Sequence, residues 1–470
     1  MNIAQTPRHD AAPACVWRCL DRFPDLLSLH ALLPERYPHL LESVSRGLPQ
    51  VRYDILFAFP GDKLTLDGNG QLRRDDAPIN GDFLETLDAH WRSLSRTIQP
   101  GLPFPFHGGW FIYLGYELAR HIEPALTCLP TDPTWPVAQA VRFPAAVIRD
   151  HARRQTWLVS EIDRADLLTQ MEQDLRGMDE SVSPTADLPT IDDMIEEAEE
   201  LYRERIDRAL EYIRAGDTFQ VNLSRVWRGR FATPPAAVSL YARLRIANPA
   251  PYAGLMTLDC GRAVVSSSPE RLVQTVQGRI STRPIAGTFP RSDDALVDQQ
   301  QRLALVQHSK ERAEHVMLVD LERNDLGRIC RPGSVRANEL FTVESYPHVH
   351  HIVSNVSGEL RDGVTPAQII RAIFPGGTIT GCPKLRTMQI IAELEEAPRG
   401  AYTGSMGYIN RDGSHDLNIL IRTMMLDGQN LQLRAGGGIV ADSDPERELR
   451  ETRVKAKGML AALGVTGTAG

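Results

Sequence analysis

The chain has 470 residues, 42% of them hydrophobic and 24% charged, with a formal net charge of −8. That balance argues against nucleic acid or an anionic membrane as the main partner, yet leaves room for a small anionic substrate in a locally positive pocket. No apolar run approaches the roughly 18 residues of a membrane span, and the polar opening at 1–14 has no signal-peptide core, so a cytoplasmic protein is expected.

In chain order, Arg52-Tyr-Asp-Ile-Leu-Phe-Ala-Phe59 is β-branched and aromatic and closes on Pro60-Gly61, which predicts a buried strand and turn. The Pro/Gly-rich stretch 100–109 feeds an aromatic strand at 108–117, whose glycines permit close backbone approach. Two further strands are expected at 141–148 and 156–162, with Pro144 confined to an edge position in the first. Apolar periodicity fades between Arg176 and Asp193, which divides the chain into segments 1–180 and 195–465. A helix is expected from about Ile195 to Ala215, with Gly216 as its stop. Later strands are expected at 263–267, 407–410 and 431–434, and helices near 296–316, 365–373, 384–396 and 445–462. Strands and helices follow no regular β-α-β beat, so the fold class expected is α+β. The cysteines at 15, 19, 128, 260, 330 and 382 form no Cys-x-x-Cys pair and read as free thiols.

Two stretches carry paired carboxylates. Glu311 and Glu314 are three apart in a helix-forming region, and Glu448 and Glu451 repeat that spacing after Asp444-Pro445, a good helix start. Two such helices meeting around one hard cation would suit Mg²⁺, which takes oxygen ligands and keeps several waters. Singly, each pair reads as a solvated helix face. Phe374-Pro-Gly-Gly-Thr-Ile-Thr-Gly-Cys-Pro-Lys384 is a Gly-rich loop entering a helix, which aims backbone N–H groups at an anion or is a plain capping turn. Ala435-Gly-Gly-Gly-Ile439 is costly in a strand unless something approaches its backbone. Arg422 and Lys455 offer positive charge for carboxylates, and His351 offers a general acid or base.

Taken in order, Ser268-Pro-Glu-Arg271, Arg283-Pro-Ile-Ala-Gly-Thr288, Asp320-Leu-Glu-Arg-Asn-Asp325, His350-His-Ile-Val-Ser354, Phe374–Lys384, Ala435–Gly438 and Glu451-Thr-Arg-Val-Lys455 resemble the chorismate-utilising enzymes. These include anthranilate synthase large subunits, aminodeoxychorismate synthase component I and isochorismate synthases. The resemblance covers 195–465, with weaker matches upstream. It implies a four-layer α/β/β/α sandwich of mainly antiparallel sheets, with chorismate and Mg²⁺ between them. Glu314 and Glu451 would hold Mg²⁺ directly, and Glu311 and Glu448 would order its waters. Arg422, Lys455, Tyr408 and the backbone at Gly436, Gly437 and Gly438 would hold the substrate's carboxylates, beside Ala286, Gly287 and Thr288. Glu270 would donate a proton to the departing C4 hydroxyl, with Thr378 and His351 completing the pocket.

Gln220 stands where water-adding members carry a general-base lysine, so the resemblance implies ammonia as nucleophile. The segments 52–60, 374–381 and 344–351 look like the aminodeoxychorismate type, which aminates C4 for p-aminobenzoate and folate. Ala286 instead matches anthranilate synthases, which aminate C2, and departs from the lysine many C4 enzymes carry. A catalytically silent regulatory subunit is the reading from another class, opposed by the intact carboxylates. Leu41, Glu42 and Ser43 resemble the segment that holds tryptophan in anthranilate synthases; read from the residues alone, they end a buried strand. No Gly-x-Cys-x-Gly nucleophile turn is present, so ammonia is expected from a separate glutamine amidotransferase subunit.

Overall fold

Pro144 is where the chain changes sheets. The stretch expected as one strand over 141–148 is two, Ala138–Phe143 and Ala145–Asp150, and they belong to different sheets. A proline has no N–H to give to a ladder, and here its carbonyl instead accepts the Glu161 N–H at 2.9 Å. Pro269 marks a second change of sheet, between Arg262–Ser268 and Arg271–Val276.

The computed structural model describes residues 14–45, 52–178, 187–292, 294–345 and 349–465; the side chains of Ala286, Thr288 and Glu311 lie outside the described residues. Within these, two twelve-stranded sheets are formed, and every strand pair in them is antiparallel. The first sheet runs from Cys15–Leu20 through Tyr53–Ala58, His39–Glu42, Tyr252–Thr257, Arg262–Ser268, Thr423–Asp427 and Asn430–Ile439 to Gln220–Phe231. The second runs from Ile285–Pro290 through Val349–Glu359, Arg271–Val276, His415–Asn418, Ser405–Asn410 and Gly109–Leu114 to Lys63–Leu66 and beyond. Each sheet draws strands from both 1–180 and 195–465, so the two segments interleave in space.

Three apolar layers bind this architecture. Leu56, Leu255 and Val265 of the first sheet pack against Leu240, Ala456 and Met459 on helices Ala237–Ala247 and Pro445–Ala462. Ile112, Val273 and Leu417 of the second pack against helices Phe83–Leu94, Ser309–Gly327 and Pro366–Ile373. Between the sheets lies an aromatic layer with Phe57, Phe106, Phe111, Phe143 and Trp157. At ~1.5–3 kcal/mol for each large apolar side chain fully buried, this layer contributes much of what joins the two sheets. The α/β/β/α order follows.

Other expectations shift in detail. The helix expected from Ile195 begins at Glu199, because Ile191–Glu196 is a strand whose Ile191 and Met194 cover Gly229. The helix expected near 296–316 is two, Ala295–Gln307 and Ser309–Gly327, broken where His308 adopts extended backbone. The glycines of the 108–117 strand do allow close approach, since a Cβ on Gly109 would lie 2.0 Å from the Ile409 carbonyl oxygen. Among the described residues no helix is long and apolar enough to cross a membrane.

Candidate active site

Two crossings between the sheets lie side by side, and the candidate site is built on them. One is the turn at Pro269 and Glu270; the other is 419–422, which returns from His415–Asn418 to Thr423–Asp427. They are tied together by the Ile419 N–H, which donates to the Glu270 carbonyl at 3.0 Å, and by the Ser268 hydroxyl on the Ile419 carbonyl. Glu270 is thereby buried, and its carboxyl accepts from Thr378 Oγ1 at 2.8 Å. Burial raises its pKa to about 7, aided by the nearby Glu322 and opposed by Thr378 and Arg422. A carboxyl poised near neutrality suits a general acid.

Arg422 has φ of +53°, in a region non-glycine residues seldom occupy and often at functional positions. Its carbonyl is fixed by the Ser267 N–H at 3.1 Å. Its guanidinium makes no hydrogen bond or ion pair among the described residues, and burial lowers its pKa, with Tyr402, Glu451 and Glu270 as the opposing charges. A half-buried guanidinium left this way offers a site for an anion.

The glycine run explains itself by what surrounds it. Strand Asn430–Ile439 pairs with Gln220–Phe231, placing Ser224, Leu223 and Asn222 opposite Gly436, Gly437 and Gly438. A Cβ on Gly436 would lie 2.8 Å from the Tyr402 hydroxyl, and one on Gly438 would lie 2.1 Å from Gln220 Nε2. On the other face, a Cβ on Gly437 would stand 3.3 Å from Glu448 Oε2 and 3.5 Å from Lys455 Nζ. Gln220 is buried with its Oε1 unpartnered among the described residues, which leaves an acceptor at this edge of the site.

Tyr402, not Tyr408, belongs to this site. Tyr408 points into the inter-sheet layer, its ring edge-on to Phe106 at 5.7 Å, with Asp416, Arg271, Asp412 and Tyr53 as its charged or titratable neighbours. Tyr402 precedes Thr403, whose φ of +62° turns the chain so that Thr403 N–H meets the Leu420 carbonyl at 2.8 Å. That turn sets the Tyr402 hydroxyl beside Gly436 and Arg422.

The charged helix wall follows from helix capping. Asp444 accepts from the Arg447 N–H at 2.9 Å and Pro445 opens the helix, as the sequence predicts. Glu448 is buried and accepts from Ser443 Oγ at 2.8 Å; burial and the Glu451 charge both raise its pKa. Glu451 is paired to Lys455 at 2.6 Å, which lowers its pKa, and Lys455 also donates to the Gly436 carbonyl at 2.8 Å. Two neighbouring carboxylates, one of them held up by the other's charge, fit a hard cation.

Glu314 lies on the Ser309–Gly327 helix, half-buried, and Glu311's side chain is outside the described residues. Among the described residues no three His, Cys, Asp or Glu side chains gather as a metal cluster, so Glu314 is not brought together with Glu448 and Glu451.

His351 is half-buried, and desolvation brings its pKa down to about 4, so the ring is neutral at pH 7. Its Nδ1–H donates to the Gly287 carbonyl at 3.3 Å. A bulge between Ala286 and Thr288, with Gly287 at φ +64°, turns that carbonyl toward it. Lys384, in the loop read as an anion cradle, is engaged elsewhere: its Nζ lies 2.5 Å from Asp325 and donates to the Ile373 carbonyl at 3.1 Å.

Leu41, Glu42 and Ser43 do not face one cavity. Leu41 packs toward the inter-sheet layer, whereas Glu42 points to the helix side and accepts from the Tyr241 hydroxyl at 2.8 Å. Ser43 Oγ donates to the Pro251 carbonyl at 3.2 Å.

The reading of the sequence missed Glu322. It sits in the buried stripe His315, Leu318, Val319, Asp325 and Leu326 of its helix, and an ionisable residue in an apolar stripe was a readable signal.

An acidic carboxyl, an arginine awaiting an anion and a glycine floor, set at the seam of two antiparallel sheets, define an enzyme site for a small carboxylate substrate. Residues 50–461 match the family described as chorismate binding enzyme, and the chain belongs to that family. It is a chorismate-utilising enzyme. Anthranilate synthase component 1 of Streptomyces coelicolor is 41% identical over 407 residues, covering 82% of this chain and 78% of that protein. Aminodeoxychorismate synthase component 1 of Bacillus subtilis is 37% identical over 457 residues, covering 93% and 94%. The crystal structure of anthranilate synthase component I from Streptococcus pneumoniae superposes with a TM-score of 0.77 at 30% identity, covering 88% of this chain and 93% of that one.

Proposed function

We propose that this chain aminates chorismate at C4 with ammonia, giving 4-amino-4-deoxychorismate for p-aminobenzoate and folate synthesis. The observation that carries the choice of C4 is Gly376, where anthranilate synthases favour alanine. A Cβ there would lie 3.0 Å from Ile419 Cδ1 and 3.2 Å from Leu272 Cδ1, so an alanine would press on the side chains beside the crossing that carries Glu270.

Arg422 and Tyr402 bind a substrate carboxylate and orient the ring over Gly436–Gly438. Glu270 gives its proton to the departing C4 hydroxyl, and Thr378 holds the carboxyl in place. Gln220, which cannot take a proton from water, leaves ammonia as the nucleophile. Glu448 and Glu451 are the described residues that would hold Mg²⁺. When bound, Mg²⁺ supplies charge that offsets the ring carboxylate and draws electrons from the ring. A separate glutamine amidotransferase subunit supplies the ammonia.

Ala286 favours the second reading, amination at C2 to give anthranilate. The test is the purified chain with chorismate, Mg²⁺ and ammonium at alkaline pH, with products identified by mass. Aminodeoxychorismate that becomes p-aminobenzoate on adding the lyase is expected. Anthranilate formed without any lyase would overturn the C4 reading.

A further inference from the structure

The Gly377–Thr378 turn has a buried carboxyl on each side. Thr378 Oγ1 donates to Glu270 Oε1 at 2.8 Å. On the other side, a Cβ added to Gly377 would stand 3.3 Å from Glu322 Oε1. The same Cβ would stand 2.5 Å from Leu321 Cδ2, so glycine at 377 lets the helix that carries Glu322 pack against the turn that holds Glu270. Glu270, Glu322 and Asp325 are 5%, 6% and 5% exposed, so none of the three is relieved by water.

The charges facing this group are few. Glu322 faces Asp325 on its own helix and Lys384 from the Lys384–Glu395 helix. Asp325 faces Lys384 and Arg328, and Lys384 is closest to Asp325. Glu270 faces Glu322 and Arg422, and Arg422 is shared with Glu451. Three carboxyls therefore stand against Lys384 and Arg328, which both face Asp325, and Arg422, which is divided between Glu270 and Glu451. Full ionisation would leave like charges buried together without compensation, so the set retains a proton.

We infer that Glu322 is a positioning residue for the reaction proton: across the Gly377–Thr378 turn it keeps the Glu270 carboxyl protonated until substrate takes that proton. This rests on the reading of Glu270 as the acid. The Thr378 hydroxyl donates to Oε1, so the retained proton is carried on Glu270 Oε2. The Oε2–H bond breaks as the C4–O bond breaks, and the hydroxyl leaves as water. Ammonia forms the C–N bond, and the proton it sheds returns to the Glu270 carboxylate, so the cycle closes without another reactant. Lys384 lowers Glu322 while burial and Asp325 raise it, so Glu322 and Glu270 titrate as a pair rather than one after the other.

The test uses the full chain labelled with ¹³C at glutamate side-chain carboxyls, the Glu270 signal being assigned by its loss in Glu270→Gln. Glu322→Gln removes the neighbouring charge, so the Glu270 midpoint is expected to fall by about one pH unit. The alkaline limb of kcat, followed at constant free ammonia, is expected to move to lower pH by the same amount, since an acid works only below its pKa. Glu322→Asp, which keeps the charge on a shorter arm, is expected to lower the midpoint part-way and serves if the glutamine variant does not fold. An unchanged Glu270 midpoint overturns the inference even if activity falls, because lost packing alone would do that. A midpoint that falls while the kinetic limb stays put sustains the coupling and overturns the acid role of Glu270 instead.

Discussion

Glu451 and Glu270, one on each wall of the site, are the same chemical group treated in opposite ways. On the C-terminal helix, Glu451 is answered at close range by Lys455, which lowers its pKa, while Glu448 beside it accepts from the Ser443 hydroxyl and is raised by burial and the Glu451 charge. On the crossing wall, Glu270 and Glu322 lie at the junction of two sheets and a helix, where burial exceeds what Thr378, Lys384 and Arg422 return. A carboxyl that finds a cation stays an anion and serves to bind; one that loses water without a full counter-charge keeps its proton and serves as an acid. One pocket thus holds both forms at one pH.

The largest break in this comparison is Glu270→Gln, which keeps the shape and removes the proton. Turnover is expected to fall about 10²- to 10⁴-fold with circular dichroism unchanged, measured by steady-state kinetics on chorismate. On the opposite wall, Glu451→Gln is expected to cost about 100-fold in turnover and to weaken Mg²⁺ binding by titration calorimetry. Intact turnover in that variant would mean that the carboxylates of this wall do not serve a metal.

The pH dependence of stability sharpens the contrast. Glu270 and Glu322 are raised from 4.5 to about 7, so the folded chain keeps protons that the unfolded chain releases. Their contribution is complete below pH 4.5 and declines as pH rises toward 7, at most by about 1.4 kcal/mol per pH unit for each group. Glu322→Gln is expected to flatten that decline in urea unfolding measured across the window. The smallest effect separates two tyrosines. Tyr402→Phe is expected to cost about 0.5–1.5 kcal/mol in kcat/KM, and Tyr408→Phe should stay within about twofold of the parent. Equal losses from both would remove Tyr402 from the substrate floor.

Much of the frame was legible locally. The Asp444-Pro445 helix start, the strand at 52–59 and the helices at 365–373 and 384–396 all depend on residues a few positions apart, and they formed within a residue or two of expectation. The misreadings have a common cause. Pro144 was correctly seen as hostile to a ladder, but an edge proline and a sheet-changing proline look alike until the second sheet is in place. Tyr402 and Tyr408 both sit in buried, glycine-rich sequence; the positive φ at Thr403 separates them, and a threonine seldom announces that conformation.

By itself the sequence determined the family, through an ordered series of short motifs, and with it the glycine floor, the arginine and the carboxylates available for chemistry. Capping, period and turn preferences act within one or two helical turns, so they can be read from neighbours. Only the tertiary structure decided which carboxyls carry protons and which tyrosine meets the arginine. Those properties depend on desolvation and on charges such as Glu322, Lys384 and Lys455, brought close to residues far away in the chain by the crossing of two sheets.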